Sequence, residues 1–266
     1  MIVKLNSLPV HYWLHGPRQA PALVLIHGFP FNHNLWQGQV GPLSRSFRVL
    51  TYDLRGMGQS ALGPAPQPLE AYVDDLEALM AHVGFSSAAL CGLSMGGYIA
   101  LRAVQRQPGR YWALALCDTR ADADSDEGKL NRAAGIKAIQ AKGPAPFIEG
   151  MLPKLLWKGT LKSKPAVAGF LRRMMGSCPA QGMANALSAM AGRGDTRPAL
   201  ARFPRPLLCL AGRHDAIAPP DVARSMAVLA KRGSSVVIPR AAHLSCLENP
   251  SAFNAVLLRF LKRATP

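Results

Sequence analysis

Short apolar runs recur along the first half of the chain, each followed by a stretch with helical spacing. Ala22-Leu23-Val24-Leu25-Ile26 has no polar position and ends in His27-Gly28, which predicts a buried strand running into a turn. Phe47 to Tyr52 predicts a second strand, ending in Asp53. Leu69, Tyr72, Val73, Leu76, Leu79, Met80 and Val83 fall on one helical face, with Pro68 at the start and Gly84 at the stop. Ala88 to Cys91 predicts a short buried strand, Ser94 to Gln107 a helix, and Trp112 to Cys117 another strand. Strands that do not alternate polar and apolar positions are covered on both faces. Their repetition with helices between them predicts a mostly parallel sheet.

The rhythm changes after Asp118. Helical stretches follow at Glu127 to Ala141, Pro146 to Leu156, Pro165 to Met175 and Gln181 to Ala191, with Gly and Pro between them and no convincing strand. The strand-helix pattern resumes at Pro206 to Ala211, then at Ser235 to Ile238. A last helix begins at Pro250 and carries Phe253, Val256, Leu257, Phe260 and Leu261 on one face. The simplest organisation is an α/β core formed by residues 1–119 and 199–266, interrupted by a helical cap over residues 120–198. No internal repeat or low-complexity segment is present.

Composition narrows the function classes. At 49% hydrophobic residues the chain can bury a full core, which excludes wholesale disorder. The longest uncharged run, Val83 to Leu101, is broken by glycines and serines, so no membrane span is expected. Met1 to Pro21 lacks the basic, apolar and small-residue order of a secretory signal. The five cysteines are odd in number, scattered, and never spaced C-x-x-C. Together these predict reduced thiols and a cytoplasmic setting. The 31 Lys and Arg outnumber the 15 Asp and Glu, a formal charge of +16. They are spread along the chain without a nucleic-acid motif or aromatic platform, so a solvated basic surface is expected and no nucleic-acid partner.

The chemistry concentrates at Gly92-Leu93-Ser94-Met95-Gly96. A serine on a sharp turn between strand and helix needs small neighbours, and the turn presents its Oγ outward. Its hydroxyl needs a base, and the base an orienting acid. His243 follows the last predicted strand and Asp215 the one before it. Both therefore lie at carboxyl ends of strands, on the edge that carries Ser94. Asp118, at the end of an earlier strand, is a rival acid. Two backbone N–H groups are expected to receive an oxyanion: that of Met95, and that of Phe29 in His27-Gly28-Phe29-Pro30. Asp53 is expected to fix its own loop by pairing with Arg55. Met151, Trp157, Ile217 and Leu244 are the candidates for lining the substrate pocket. No H-E-x-x-H and no clustered His/Asp set suggests a metal, and no G-x-G-x-x-G or P-loop suggests a nucleotide, so no cofactor is expected.

With His27-Gly28-Phe29-Pro30, Asp53 to Ser60, Gly92 to Gly97, Gly212 to Pro219 and Ala242-His243 in place, the chain resembles the α/β-hydrolase superfamily over nearly its whole length. Within it the likeness is to small carboxylesterases and 3-oxoadipate enol-lactonases. The resemblance implies a serine hydrolase of small esters or lactones, with Ser94 as nucleophile, His243 as base and acid, Asp215 as its partner, and Phe29 and Met95 as oxyanion donors. Perhydrolysis and a small-molecule receptor on the same fold are the remaining alternatives.

Overall fold

A computed structural model describes all 266 residues, Met1–Pro266. Eight strands form one sheet: β1 (Ile2–Leu5), β2 (Leu8–His15), β3 (Ala22–Ile26), β4 (Arg48–Tyr52), β5 (Ala88–Leu93), β6 (Tyr111–Cys117), β7 (Leu207–Gly212) and β8 (Gly233–Ile238). Their spatial order is β1-β2-β4-β3-β5-β6-β7-β8. The six strands from β4 to β8 in that order run parallel, and β1 and β2 join antiparallel at one edge. Every residue of β5 and β6 is buried, as unalternated apolar strands covered on both faces require.

In chain order the helices are α1 (Gln37–Ser44), α2 (Leu69–His82), α3 (Met95–Arg106), α4 (Asp126–Lys142), α5 (Pro144–Leu155), α6 (Lys158–Ser163), α7 (Pro165–Gly176), α8 (Ala180–Ala191), α9 (Arg197–Arg202), α10 (Pro220–Leu229), α11 (Ser245–Glu248) and α12 (Pro250–Ala264). The helical insertion, α4 to α9, lies between β6 and β7. One continuous apolar cluster runs from the sheet into it, joining Leu90 and Leu114 to Ile148, Leu152, Met175 and Met183. The insertion thus shares the core of the sheet and does not build one of its own. No helix is long and apolar enough to cross a membrane.

The predicted strands and long helices are all present, with ends shifted by at most three residues. The pattern did not announce the β1–β2 hairpin. Only Val10 and Tyr12 of β2, and Leu5 of β1, are buried, so an edge strand with one covered face leaves too few apolar positions to stand out. One expected contact is different. Arg55 does not pair with Asp53. Its guanidinium donates twice, at 2.7 Å each, to the buried carboxylate of Asp75 on α2.

Candidate active site

Ser94 sits between β5 and α3 with φ +53° and ψ −115°, a backbone region that side chains other than glycine rarely adopt. The neighbours make that turn possible. A Cβ added to Gly96 would lie 2.1 Å from the Ile26 carbonyl oxygen, so any larger residue there would push β3 and α3 apart. The strained turn is tied on both sides. The Ser94 N–H donates to the Cys117 carbonyl at 2.9 Å, and its own carbonyl accepts the Thr119 hydroxyl at 2.7 Å. Its side chain, at the N-terminus of α3, is half-buried and reachable.

The structure brings Ser94, His243 and Asp215 together. His243 Nε2 lies 3.0 Å from Ser94 Oγ, and its Nδ1 lies 2.8 Å from Asp215 Oδ2. Asp215 Oδ1 accepts the backbone N–H groups of Ile217 at 2.8 Å and Ala218 at 3.0 Å, which fixes the carboxylate plane. Burial works against an imidazolium at His243. The charge and hydrogen bond of Asp215 outweigh it, with Asp118 and Glu248 adding, and the pKa is raised above the ordinary histidine value.

Asp118 makes no hydrogen bond to His243. Its Oδ1 accepts the Gly212 N–H at 2.8 Å, and its Oδ2 accepts the Ser245 hydroxyl and N–H. It therefore ties the end of β7, which leads to Asp215, to the residues after His243. Burial and the charge of Asp215 push its carboxyl up to about 8.

The turn expected to hold the oxyanion is beside Ser94: a Cβ built on Gly28 would lie 3.2 Å from Ser94 Cβ. His27 sets this turn. Its Nε2 accepts the Leu54 N–H at 3.0 Å, so Nδ1 carries the proton and donates to the Gly28 carbonyl at 2.8 Å. Full burial lowers its pKa to about 4, which keeps the ring neutral. Asp53 ties the segments that follow this turn and its own strand together, accepting from the His33 N–H and ring and from the Gln59 N–H.

The four candidates for the pocket lining are placed differently from one another. Leu244 is fully buried beside His243, Met151 and Trp157 are half-buried on or beside α5, and Ile217 is 39% exposed. Trp157 stacks on His214 with ring centroids 5.1 Å apart and lines a 220 Å³ cavity with Thr160, Lys164 and Arg240. Phe147 of α5, which the sequence did not single out, meets Phe29 edge to face at 6.3 Å and so packs against the turn that carries Gly28. Its only sequence signal is that it is the one aromatic residue of α5.

Two further contacts escaped the sequence. The His243 N–H donates to the Leu155 carbonyl at the end of α5, at 3.1 Å. The buried carboxyl of Glu248 accepts the Ala242 N–H at 2.6 Å and, through its other oxygen, the Trp157 N–H at 2.8 Å. The helical insertion and the histidine loop are thereby held to each other on both sides of His243.

The family model for the alpha/beta hydrolase fold matches residues 21–250. A 3-oxoadipate enol-lactonase of Acinetobacter baylyi is 29% identical over 262 residues, covering 98% of this chain and 96% of that protein. Among solved structures, an esterase from Thermogutta terrifontis, malate bound, has a TM-score of 0.95 at 34% identity and covers 100% of this chain and 99% of its own. The enol-lactonase from Burkholderia xenovorans LB400 has a TM-score of 0.92 at 29% identity and covers 98% of this chain and 100% of its own.

Proposed function

This chain belongs to the α/β-hydrolase family, related to 3-oxoadipate enol-lactonases and esterases, and from that premise we propose that it cleaves carboxylic esters through an acyl-enzyme on Ser94. The observation that carries the reading is the unbroken relay from Ser94 Oγ through the His243 ring to Asp215.

With Nδ1–H held by Asp215, the His243 Nε2 lone pair faces the serine hydroxyl. His243 takes that proton as Oγ attacks the ester carbonyl carbon, and the carbonyl electrons move onto oxygen. The N–H groups of Met95 and Phe29 receive the oxyanion, and the N-terminus of α3 adds its positive end. The tetrahedral species collapses, the bond to the alcohol oxygen breaks, and His243 returns its proton to that oxygen. Water, deprotonated by the same nitrogen, then attacks the acyl carbon. The acid product leaves and Ser94 regains its proton.

A cyclic ester is the second reading, supported by two enol-lactonases that match nearly end to end at 29% identity. The same steps apply, except that the freed hydroxyl stays tethered to the acyl group. A panel of chromogenic esters of rising acyl length, run beside small lactones, tests both readings. Ser94→Ala is expected to lower turnover by on the order of 10³-fold or more while the protein stays folded. A fluorophosphonate is expected to label the unmutated protein at Ser94. Substantial turnover left in Ser94→Ala, or labelling elsewhere, removes Ser94 from the role. Tight retention of an ester with negligible turnover points instead to a receptor.

A further inference from the structure

The carboxyl ends of β7 and β8 lead to Asp215 and His243. Their amino ends, the length of a strand away at about 17–20 Å, open onto a different feature. There a cavity of 480 Å³ lies between the edge of the sheet and α12. Its floor is apolar: Leu208 of β7, Val236 of β8, and Val256 and Phe260 of α12. Around it stand Arg232, just before β8, and Arg259 and Arg263, one turn apart on α12.

Three observations select an occupant. First, no acidic residue lines the cavity, and none of the three arginines makes an ion pair or side-chain hydrogen bond within the protein. Arg259 and Arg263 face each other at i, i+4, a like-charge spacing that disfavours a bare helix. Second, exposed arginines are common on so basic a chain, but these three share one apolar hollow. A purely solvated charge needs no such floor. Third, the volume falls in the range of small-molecule sites. A second copy of the chain is a poor fit, because a self-complementary contact would bring two sets of arginines together.

We propose that this cavity is a binding site for a small amphiphilic carboxylate, its head paired with Arg232, Arg259 and Arg263 and its hydrocarbon part laid on Leu208, Val236, Val256 and Phe260. Guanidinium groups suit a carboxylate because their parallel N–H donors match its two oxygens. The site is separate from Ser94, so its occupancy does not depend on acyl transfer.

The test is calorimetric titration with decanoate, below its micelle concentration, and with decan-1-ol as the uncharged analogue. One saturable site for decanoate is expected, with decanol weaker by about tenfold or more. The double variant Arg259→Glu, Arg263→Glu is expected to weaken decanoate by a similar factor or more. Val256→Trp, which fills the hollow, is expected to remove binding. Thermal melting checks that each variant is folded, and Arg259→Ala, Arg263→Ala replaces the charge reversal if that variant is not. Ester turnover is expected to be unchanged in all of them. Absence of saturable binding overturns the proposal, as does equal affinity for decanol or binding that survives both kinds of variant. Binding abolished by labelling Ser94 places the ligand in the other site and overturns it as well.

Discussion

His27 and His243 are both buried, and their surroundings drive them in opposite directions. His27 has no carboxylate on its ring, so burial lowers its pKa to about 4. His243 has Asp215, which overcomes burial and raises it. Between about pH 4 and 6.5 the unfolded chain takes a proton at residue 27 that the folded chain refuses, so acid there favours unfolding by on the order of 3 kcal/mol at most. The sign at His243 is reversed. Its contribution to stability is full below about 6.5 and is lost as pH rises through its raised folded value. The base role proposed for His243 needs the neutral ring, so kcat/KM is expected to rise with pH through that same value. At about pH 5, nitrogen-resolved NMR is expected to find His27 neutral with its proton on Nδ1 and His243 cationic; a cationic His27 contradicts this account. Asp215→Asn is expected to cut turnover by about 10³–10⁴-fold and lower the acid limb of the pH profile, because an amide can hold the ring in the wrong tautomer. Asp118→Asn is expected to cost far less, since Asp118 reaches Gly212 and Ser245 and not the ring. A reversed order transfers the role to Asp118. Ser94, Asp215 and His243 were legible as a set because each comes soon after a strand that the sequence shows. The partner of Arg55 was not, because Asp75 reads as one more polar position on α2 until the fold brings the two together.

Among the elements, the junction of β3, β5 and α3 decides whether the serine turn can exist. Gly96→Ala would force its methyl against the Ile26 carbonyl, already 2.1 Å from where that carbon must go. A loss of about 1–3 kcal/mol is expected from such overpacking, with most of the turnover lost too, because relief requires moving the helix that carries Ser94. Urea unfolding together with an ester assay checks both; a stable and active Gly96→Ala variant would show that the junction has slack. The parallel strands were legible as elements because burial on both faces leaves no polar alternation to confuse them. The helices α6 and α9, six residues each, are shorter than two turns, too short for a helical period to repeat. The β1–β2 hairpin was hidden for the opposite reason: its strands have an adequate length but only three inward residues.

For the whole molecule, the excess of positive charge lies mostly beyond residue 119, in the insertion and the C-terminal part alike; within the insertion, ten Lys and Arg lie between Lys129 and Arg173 against Glu149 alone. Arg172 pairs with Glu149 and Arg132 with Asp124, while Lys137, Lys142, Lys154, Lys158 and Lys162 are exposed. Charges so placed act through solvent and are screened within about 8 Å at physiological salt. A matched pair of esters, one with a distal carboxylate, is therefore expected to differ in kcat/KM at low ionic strength and to converge as salt is added, with kcat unchanged. A preference for the anionic ester that persists in high salt points to a direct contact instead. The sequence made the insertion visible as a run without strands, but not its attachment. The Leu155 carbonyl and Glu248 lie far apart in the chain and meet only around His243. That attachment bears on how such proteins can be recombined. If the insertion were an accessory added to a finished enzyme, exchanging it for that of a relative would change which substrates are taken and leave the rate of acyl transfer alone. Here the donor segment must also present a carbonyl to the histidine amide and an amide to Glu248. A chimera lacking either is expected to lose kcat on every substrate alike, and its inheritance would pass through this chain as one piece with the histidine loop.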